Sequence, residues 1–216
     1  MTAGFERSSK PWPYWMLRYV GANDPQAFND LVWSVGGSPP YGKVSRKEAE
    51  LVYKLIETYQ GPGSASQALY DRVSERLGGR PEAVTALEVF SIHNRIASEP
   101  SAYTKADVDA GLALARGLKH VGITCYFLLL RAGLAYRGGD INEAENDTPE
   151  ALSALVPLVA EDLVYLEQAR KAAQNAASFC AMAGNLTKAK LAAEVLRSLG
   201  AEERLGSLHD RLLGPS

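Results

Sequence analysis

The chain has 216 residues, of which 23 are basic, 25 are acidic and 46% are hydrophobic, and its formal net charge is −2. This near balance gives no overall field that would hold nucleic-acid phosphates or an anionic membrane surface, so we expect neither as a partner. A chain of this length buries a core without disulfide or metal staples.

Three local features predict a cytoplasmic protein. The polar opening, Met1 to Lys10, lacks the apolar run of a secretory signal. The most hydrophobic stretch, Ile123 to Tyr136, is too short to span a membrane and contains Arg131, which favours a buried helix. Cys125 and Cys180 lie within apolar helical patterns, as free core cysteines of a reducing compartment do.

The first 22 residues are predicted to form an arm rich in aromatic residues and proline, with Pro11 and Pro13 beside Trp12, Tyr14 and Trp15. Two interpretations of the arm remain open. It folds back onto the core of its own chain, or Trp12 and Trp15 anchor a partner, since such rings bury a large area.

Residues 23–98 are predicted to be helical, because capping residues recur ahead of apolar residues at helical spacing and almost no stretch alternates with period two. The predicted helices are Asp24 to Gly36, Ser45 to Gly61, Ser66 to Leu77 and Pro81 to Ala97. The last of these is apolar on most sides, which predicts a central helix packed against several neighbours.

Pro100 marks the predicted boundary with a C-terminal part, residues 104–216, made of antiparallel helical hairpins. Thr104 caps a helix whose alanine-rich body, Ala106 to Leu118, predicts close approach between helices. The overall expectation is an all-α protein, either of stacked hairpins or of an irregular helical bundle.

Two stretches of the C-terminal part are similar to one another. In each, a helix with small residues on its inner face ends in Gly139-Asp140 or Gly184-Asn185, and a second helix begins at once. After the first turn, however, Asp147-Thr148-Pro149-Glu150 has the pattern of a new helix start, and Pro157 predicts a further interruption.

These residues resemble the tetratricopeptide repeat, in which small residues lie where two antiparallel helices cross. The better copy has Ala177, Gly184, Ala189 and Ala193 at the small positions, whereas the poorer copy has Gly133 and Ala144 with a turn one residue short. The resemblance implies right-handed stacking of the hairpins. It also implies a binding groove lined by Lys171, Gln174 and Ser178, a polar set suited to an extended peptide.

The sequence offers little for catalysis. His93, His120 and His209 each lack a second ligand at helical spacing, so we predict neither a metal nor another cofactor. Arg131 is the one charge in its apolar run, and a buried arginine requires a carboxylate partner or an anionic ligand.

The favoured function is a non-catalytic helical scaffold that binds a protein or peptide. The alternative is a helical enzyme or small-ligand binder whose polar residues converge between the two halves, with His93, Arg95, Arg131 and Tyr136 as candidates. In a third arrangement, the apolar helices pair two chains as a homodimer. The sequence does not distinguish this from packing of the same helices within one chain.

Overall fold

The computed structural model describes residues 10, 12–21, 26–36, 46–61, 63–76, 81–98 and 103–214. Throughout this part of the chain the regular structure is helical and no strand occurs, which confirms the all-α fold class. The chain divides into two compact units, Met1–Tyr103 and Thr104–Ser216. None of the helices described is both long and apolar enough to cross a membrane.

The N-terminal unit is built from short helices. They are α1 (Trp12–Met16), continued by a π-helical turn (Leu17–Gly21), α2 (Ala27–Gly36), α3 (Arg46–Thr58), α4 (Gln67–Arg76) and α5 (Pro81–Ser98). Residues 12–21, which belong to the predicted aromatic and proline arm, are helical. Pro13 is compatible with this because it lies in the first turn, where a backbone amide has no helical partner in any case. The predicted helix starts at Asp24 and Ser45 lie outside the described residues.

Helix α5 is the central helix of this unit, as its pattern predicts. Its buried residues face in several directions, and it packs against both α2 and α3. The side chain of Asn94 joins α5 to the end of α3 by donating hydrogen bonds to the carbonyl oxygens of Ile56 and Tyr59, at 2.6 and 3.1 Å.

The C-terminal unit is a succession of antiparallel helices, each packed on the next along the chain. They are α6 (Lys105–Gly117), α7 (Val121–Arg137), α8 (Ile141–Val159), α9 (Leu166–Met182), α10 (Leu186–Ser198) and α11 (His209–Leu213), with 3-10 helices at Leu163–Tyr165 and Glu202–Leu208. Small residues allow close approach at one crossing in particular. A Cβ placed on Gly111 of α6 would lie 2.2 Å from the ring of Phe127 in α7.

The turns after α7 and α9 have the same structure. Gly139 and Gly184 have positive φ angles of 83° and 82°, which glycine adopts without strain. The next amide, of Asp140 or Asn185, donates to the carbonyl five residues earlier at 2.8 Å in both turns. The side-chain oxygens of Asp140 and Asn185 then cap the following helix. The hairpins α7–α8 and α9–α10 are therefore related by a constant shift of 45 residues.

This shift corrects the repeat register read from the sequence. The equivalent of Ala177 is Ala132 and not Gly133, and both alanines are fully buried. Gly133 is half-buried, with nothing within 4 Å of the position a Cβ would take. The first turn is consequently as long as the second.

Helix α8 is continuous from Ile141 to Val159, so the predicted helix start at Asp147 and the interruption at Pro157 are wrong. A proline within a helix costs about 3 kcal/mol, because it removes one hydrogen bond and crowds the preceding turn. Buried residues on both sides of Pro149 offset this cost, with Ala144 and Thr148 before it and Ala151 and Leu155 after it. Tertiary packing thus overrides the local signal.

Candidate functional site

The polar face predicted on α9 is partly engaged by the chain itself. Lys171 is exposed, while Gln174 and Ser178 are half-buried. The Gln174 amide donates a hydrogen bond of 3.1 Å to the carbonyl of Arg204, and Arg170 of the same helix donates two to the carbonyl of Leu199. Backbone from beyond α10 therefore occupies one of the two N–H donors of the Gln174 amide, and a peptide-binding role for this face stays a prediction.

Arg131 has carboxylate partners. Its guanidinium donates to both oxygens of Asp147 in α8, with Nε–Oδ2 and Nη2–Oδ1 distances of 2.7 and 2.8 Å, and Nη1 lies 3.2 Å from Asp109 of α6. The side chains of Arg131 and Asp147 are 19% and 4% exposed. Lys105 of α6 completes the network with ion pairs to Asp109 at 3.0 Å and to Glu143 of α8 at 2.8 Å.

The electrostatics of this network favour the charged forms. The hydrogen bonds that Arg131 donates to Asp147 raise the pKa of the guanidinium, and they outweigh the opposing effect of its burial. Burial alone would raise the pKa of Asp109, but the hydrogen bonds from Lys105 and Arg131 lower it. Arg131 therefore has its carboxylate partners within the protein and does not require an anionic ligand. The network also links α6, α7 and α8.

The other sequence-predicted residues are placed in different units. Trp12, Trp15 and His93 belong to the N-terminal unit, where both tryptophans are buried and Trp12 lies 6.4 Å from the ring of Phe90. Neither indole offers an open surface to a partner. Burial lowers the pKa of His93 to about 4, so its imidazole is neutral at physiological pH. Arg131 and Tyr136 belong to the C-terminal unit, and their convergence with His93 and Arg95 stays a prediction.

An apolar groove with a volume of about 340 Å³ lies between α8 and α10, over α9. Its lining consists of Pro149, Leu152, Ser153, Val156 and Pro157 from α8, Ala176 from α9, and Lys188, Leu191, Ala192 and Val195 from α10. Leu191 is 65% exposed although it is aliphatic, and Val156 is also exposed. Lys188 is the one ionisable residue in this lining.

The groove walls are two helical stripes. Residues of α8 line it at positions 149, 152, 153, 156 and 157, and residues of α10 line it at 188, 191, 192 and 195. Both sets follow the spacing of one helix face. The buried stripe of α10 contains Ala189, Ala192, Ala193 and Leu196, so Ala192 belongs both to this stripe and to the groove lining. Helix α10 therefore presents a second apolar face, and this face is open.

A polar cleft of about 600 Å³ lies in the N-terminal unit between α3 and α4. Its lining contains two cationic side chains, Lys54 and Arg72, and no acidic one. Neither cation has a hydrogen-bond or ion-pair partner among the residues that the structure describes. Hydroxyl groups of Thr58, Ser64 and Ser66 also line it. None of the sequence-predicted site residues does.

No family model, no curated protein and no solved structure matches the chain. The groove and the cleft are therefore the features of the described residues that bear on function. Sequence reasoning missed both, although one signal of the groove is visible in the sequence. Leu191 lies outside the stripe of α10 that packs on α9, and an aliphatic residue there has no place in the core.

Proposed function

We propose that the chain is a non-catalytic helical scaffold that holds a partner protein in the groove between α8 and α10. The observation that carries the proposal is the open, aliphatic lining around Leu191. Contiguous apolar surface exposed to water is costly, at about 25 cal/mol per Å², and in folded proteins it marks interaction sites.

The composition of the groove favours binding over catalysis. A catalytic pocket brings several titratable groups together around the reacting atoms. Here Lys188 is the single titratable group, and the hydrogen bond it donates to Glu145 at 3.0 Å raises its pKa. That shift stabilises the ammonium form, which is a poor general base.

Site-specific photo-crosslinking tests this function. A photoreactive amino acid placed at position 191 in the full chain should give one discrete adduct in cells of the native host, because the side chain there contacts the bound partner. The same residue at position 171 tests the sequence-predicted face of α9, and at position 182 it tests an exposed residue outside the groove.

An adduct specific to position 191 supports the proposal. An adduct from position 171 alone would mean that the partner binds the face of α9 with Gln174 and Ser178. Equal adducts from all three positions would contradict a specific binding site. An adduct with twice the mass of the chain would mean that the groove binds a second copy of the chain and not a different protein.

The cleft between α3 and α4 favours a second candidate function, the binding of a small anionic ligand. The observation that supports this function is the pair of cations, Lys54 and Arg72, that line the cleft without an acidic residue in the lining. Inorganic phosphate is a suitable probe, followed by amide NMR shifts. We expect shifts confined to residues 51–72 that disappear in Lys54→Ala/Arg72→Ala and persist in Lys47→Ala, which lies on α3 outside the cleft. Equal shifts in the double variant would exclude this function.

A further inference from the structure

The cleft between α3 and α4 has two regions of different chemistry. Thr58 and Ser66 lie where α3 ends and α4 begins, and Ser66 Oγ is 3.1 Å from the carbonyl oxygen of Thr58. Lys54 is one turn back from Thr58 on α3, and Arg72 lies beyond Ser66 along α4. Along the helices, the two cations are therefore about 6–9 Å from these hydroxyl groups. A ligand that fills the cleft meets both regions.

The hydroxyl groups of the cleft have already donated their hydrogen atoms. Thr58 Oγ1 donates to the carbonyl oxygen of Lys54 at 2.7 Å, and Ser66 Oγ donates to that of Thr58. Ser64 Oγ lies 3.2 Å from Ser66 Oγ, and it is the donor of this pair because the hydrogen of Ser66 is already committed. A hydroxyl oxygen also has two acceptor lone pairs, and these are what the three groups can still offer. This end of the cleft therefore recognises hydrogen-bond donors.

The cationic region recognises the opposite kind of group. Lys54 and Arg72 are exposed side chains on the two walls of the cleft. Asp71, the neighbour of Arg72 in sequence, lies outside the lining, and its Oδ1 accepts a hydrogen bond of 2.7 Å from Gln67. Two cations match a phosphate monoester, whose charge is about −1.5 to −2 at pH 7. The cleft, of about 600 Å³, has the volume of a site for one small molecule.

We infer that the cleft binds a phosphate monoester of a sugar or sugar alcohol, an inference that rests on the second candidate function. The phosphate lies between Lys54 and Arg72, and hydroxyl groups of the ligand donate to the oxygen atoms of Thr58, Ser64 and Ser66. An alkyl phosphate has no donors for these acceptors, and inorganic phosphate is too short to reach them from the cations. The cleft should therefore select for hydroxyl groups on the ligand, which phosphate binding alone does not require.

Two probes with the same phosphate test this selectivity. Glucose 6-phosphate and cyclohexylmethyl phosphate have rings of equal size, but the second has no hydroxyl groups. Binding of each to the full chain is measured by amide NMR titration. We expect glucose 6-phosphate to bind about tenfold more tightly, because it alone donates hydrogen bonds to the hydroxyl region. Leu51 and Leu69 of the lining favour the cyclohexyl ring, so apolar contact cannot produce this preference.

Two variants separate the regions of the cleft. Thr58→Val/Ser66→Ala removes two acceptors and should lower the affinity for glucose 6-phosphate about fivefold. Its affinity for cyclohexylmethyl phosphate should stay unchanged, which also shows that the cleft remains folded. Lys54→Ala/Arg72→Ala should abolish binding of both probes.

Ser34→Ala is the matched control for the loss of a hydroxyl group. The hydroxyl of Ser34 donates to the carbonyl oxygen of Leu31 at 2.8 Å, as that of Thr58 does within α3, but it lies on α2 outside the cleft lining. This variant should bind both probes as the original chain does.

Equal affinity of the two probes overturns the inference, and so does a preference for glucose 6-phosphate that persists in Thr58→Val/Ser66→Ala. Anion binding stands in either case if the shifts caused by inorganic phosphate disappear in Lys54→Ala/Arg72→Ala. If neither phosphate nor the two probes shift residues 51–72, the second candidate function is lost as well. Tighter binding of phosphoethanolamine than of glucose 6-phosphate would assign the acceptors to an ammonium group and would also overturn the inference.

Discussion

Arg131 and Asp147 are joined by two hydrogen bonds of 2.7 and 2.8 Å, and the carboxylate is 4% exposed. Removing one partner leaves the other charge buried, so Arg131→Met should destabilise the α6–α8 region by about 3 kcal/mol. Arg131→Met/Asp147→Ala should cost less than the single substitution, because no charge is stranded. Amide hydrogen exchange of α6–α8 measures the difference.

The exposed pair of Arg116 and Glu150 is the control for this experiment. Arg116→Met should cost less than about 1 kcal/mol, since both side chains remain in water. Additive costs for Arg131→Met and Asp147→Ala would show that the pair is not coupled.

Gly111 and Gly133 form a matched pair of helical glycines. A Cβ at Gly111 would lie 2.2 Å from the Phe127 ring, whereas a Cβ at Gly133 meets nothing within 4 Å. Gly111→Ala should therefore destabilise the unit by about 1–3 kcal/mol. Gly133→Ala should stabilise it by about 0.5–1 kcal/mol through helix propensity. Urea unfolding followed by far-UV circular dichroism tests both, and stabilisation by Gly111→Ala would contradict the close crossing.

Asn185 and Asp140 cap equivalent helices but are not interchangeable. The Asn185 amide also donates a hydrogen bond of 2.9 Å to Glu145, which aspartate cannot do. Asn185→Asp should thus destabilise the α9–α10 hairpin by about 1 kcal/mol, although the two residues are equal as caps. Asp140→Asn should be nearly neutral.

The cost of Asn185→Asp depends on ionised Glu145. Hydrogen bonds from Lys188 and Asn185 lower the pKa of this glutamate, so its contribution is present at neutral pH and is lost as pH falls through the lowered pKa. Hydrogen exchange in α10 at pH 7 and at acid pH should show a smaller effect of the substitution in acid. An effect that does not change with pH would rule out the contact with Glu145.

Burial lowers the pKa of His93 to about 4, whereas an unfolded histidine titrates near 6.5. Between these values the unfolded state binds more protons, so the free energy of unfolding falls as pH is lowered through this window. The contribution is at most about 3 kcal/mol. His93→Leu should flatten the profile between pH 6.5 and 4.

Tryptophan fluorescence is the appropriate measurement for His93. All three tryptophans of the chain, Trp12, Trp15 and Trp33, belong to the N-terminal unit, so the signal follows that unit alone. Identical pH profiles for the original chain and His93→Leu would mean that the imidazole is hydrated in the folded protein.

The fold class was predictable because helical periodicity and capping are local properties of the sequence. The continuity of α8 was not, since its prolines are local signals and the packing that overrides them is tertiary. The sequence identifies Arg131 as a residue that needs a partner, but the local pattern places Asp147 at a helix start. Identifying it as the partner requires the register of α8 against α7. The groove depends on the small side chains of Ala176 and Ala192. Their positions relative to α8 follow only from the packing of α8, α9 and α10, which the sequence does not show.

Pro149 and Pro157 have a consequence for the folding of α8. Proline lacks an amide hydrogen, so the carbonyl groups of Glu145 and Ser153 lack the donor that an unbroken helix supplies. An isolated peptide of residues 141–159 should be largely unstructured in water. Helix α8 thus acquires its shape from α7 and α9. One wall of the groove exists only when both hairpins are folded, and a chain shortened before α9 would lose that wall together with the helix opposite it.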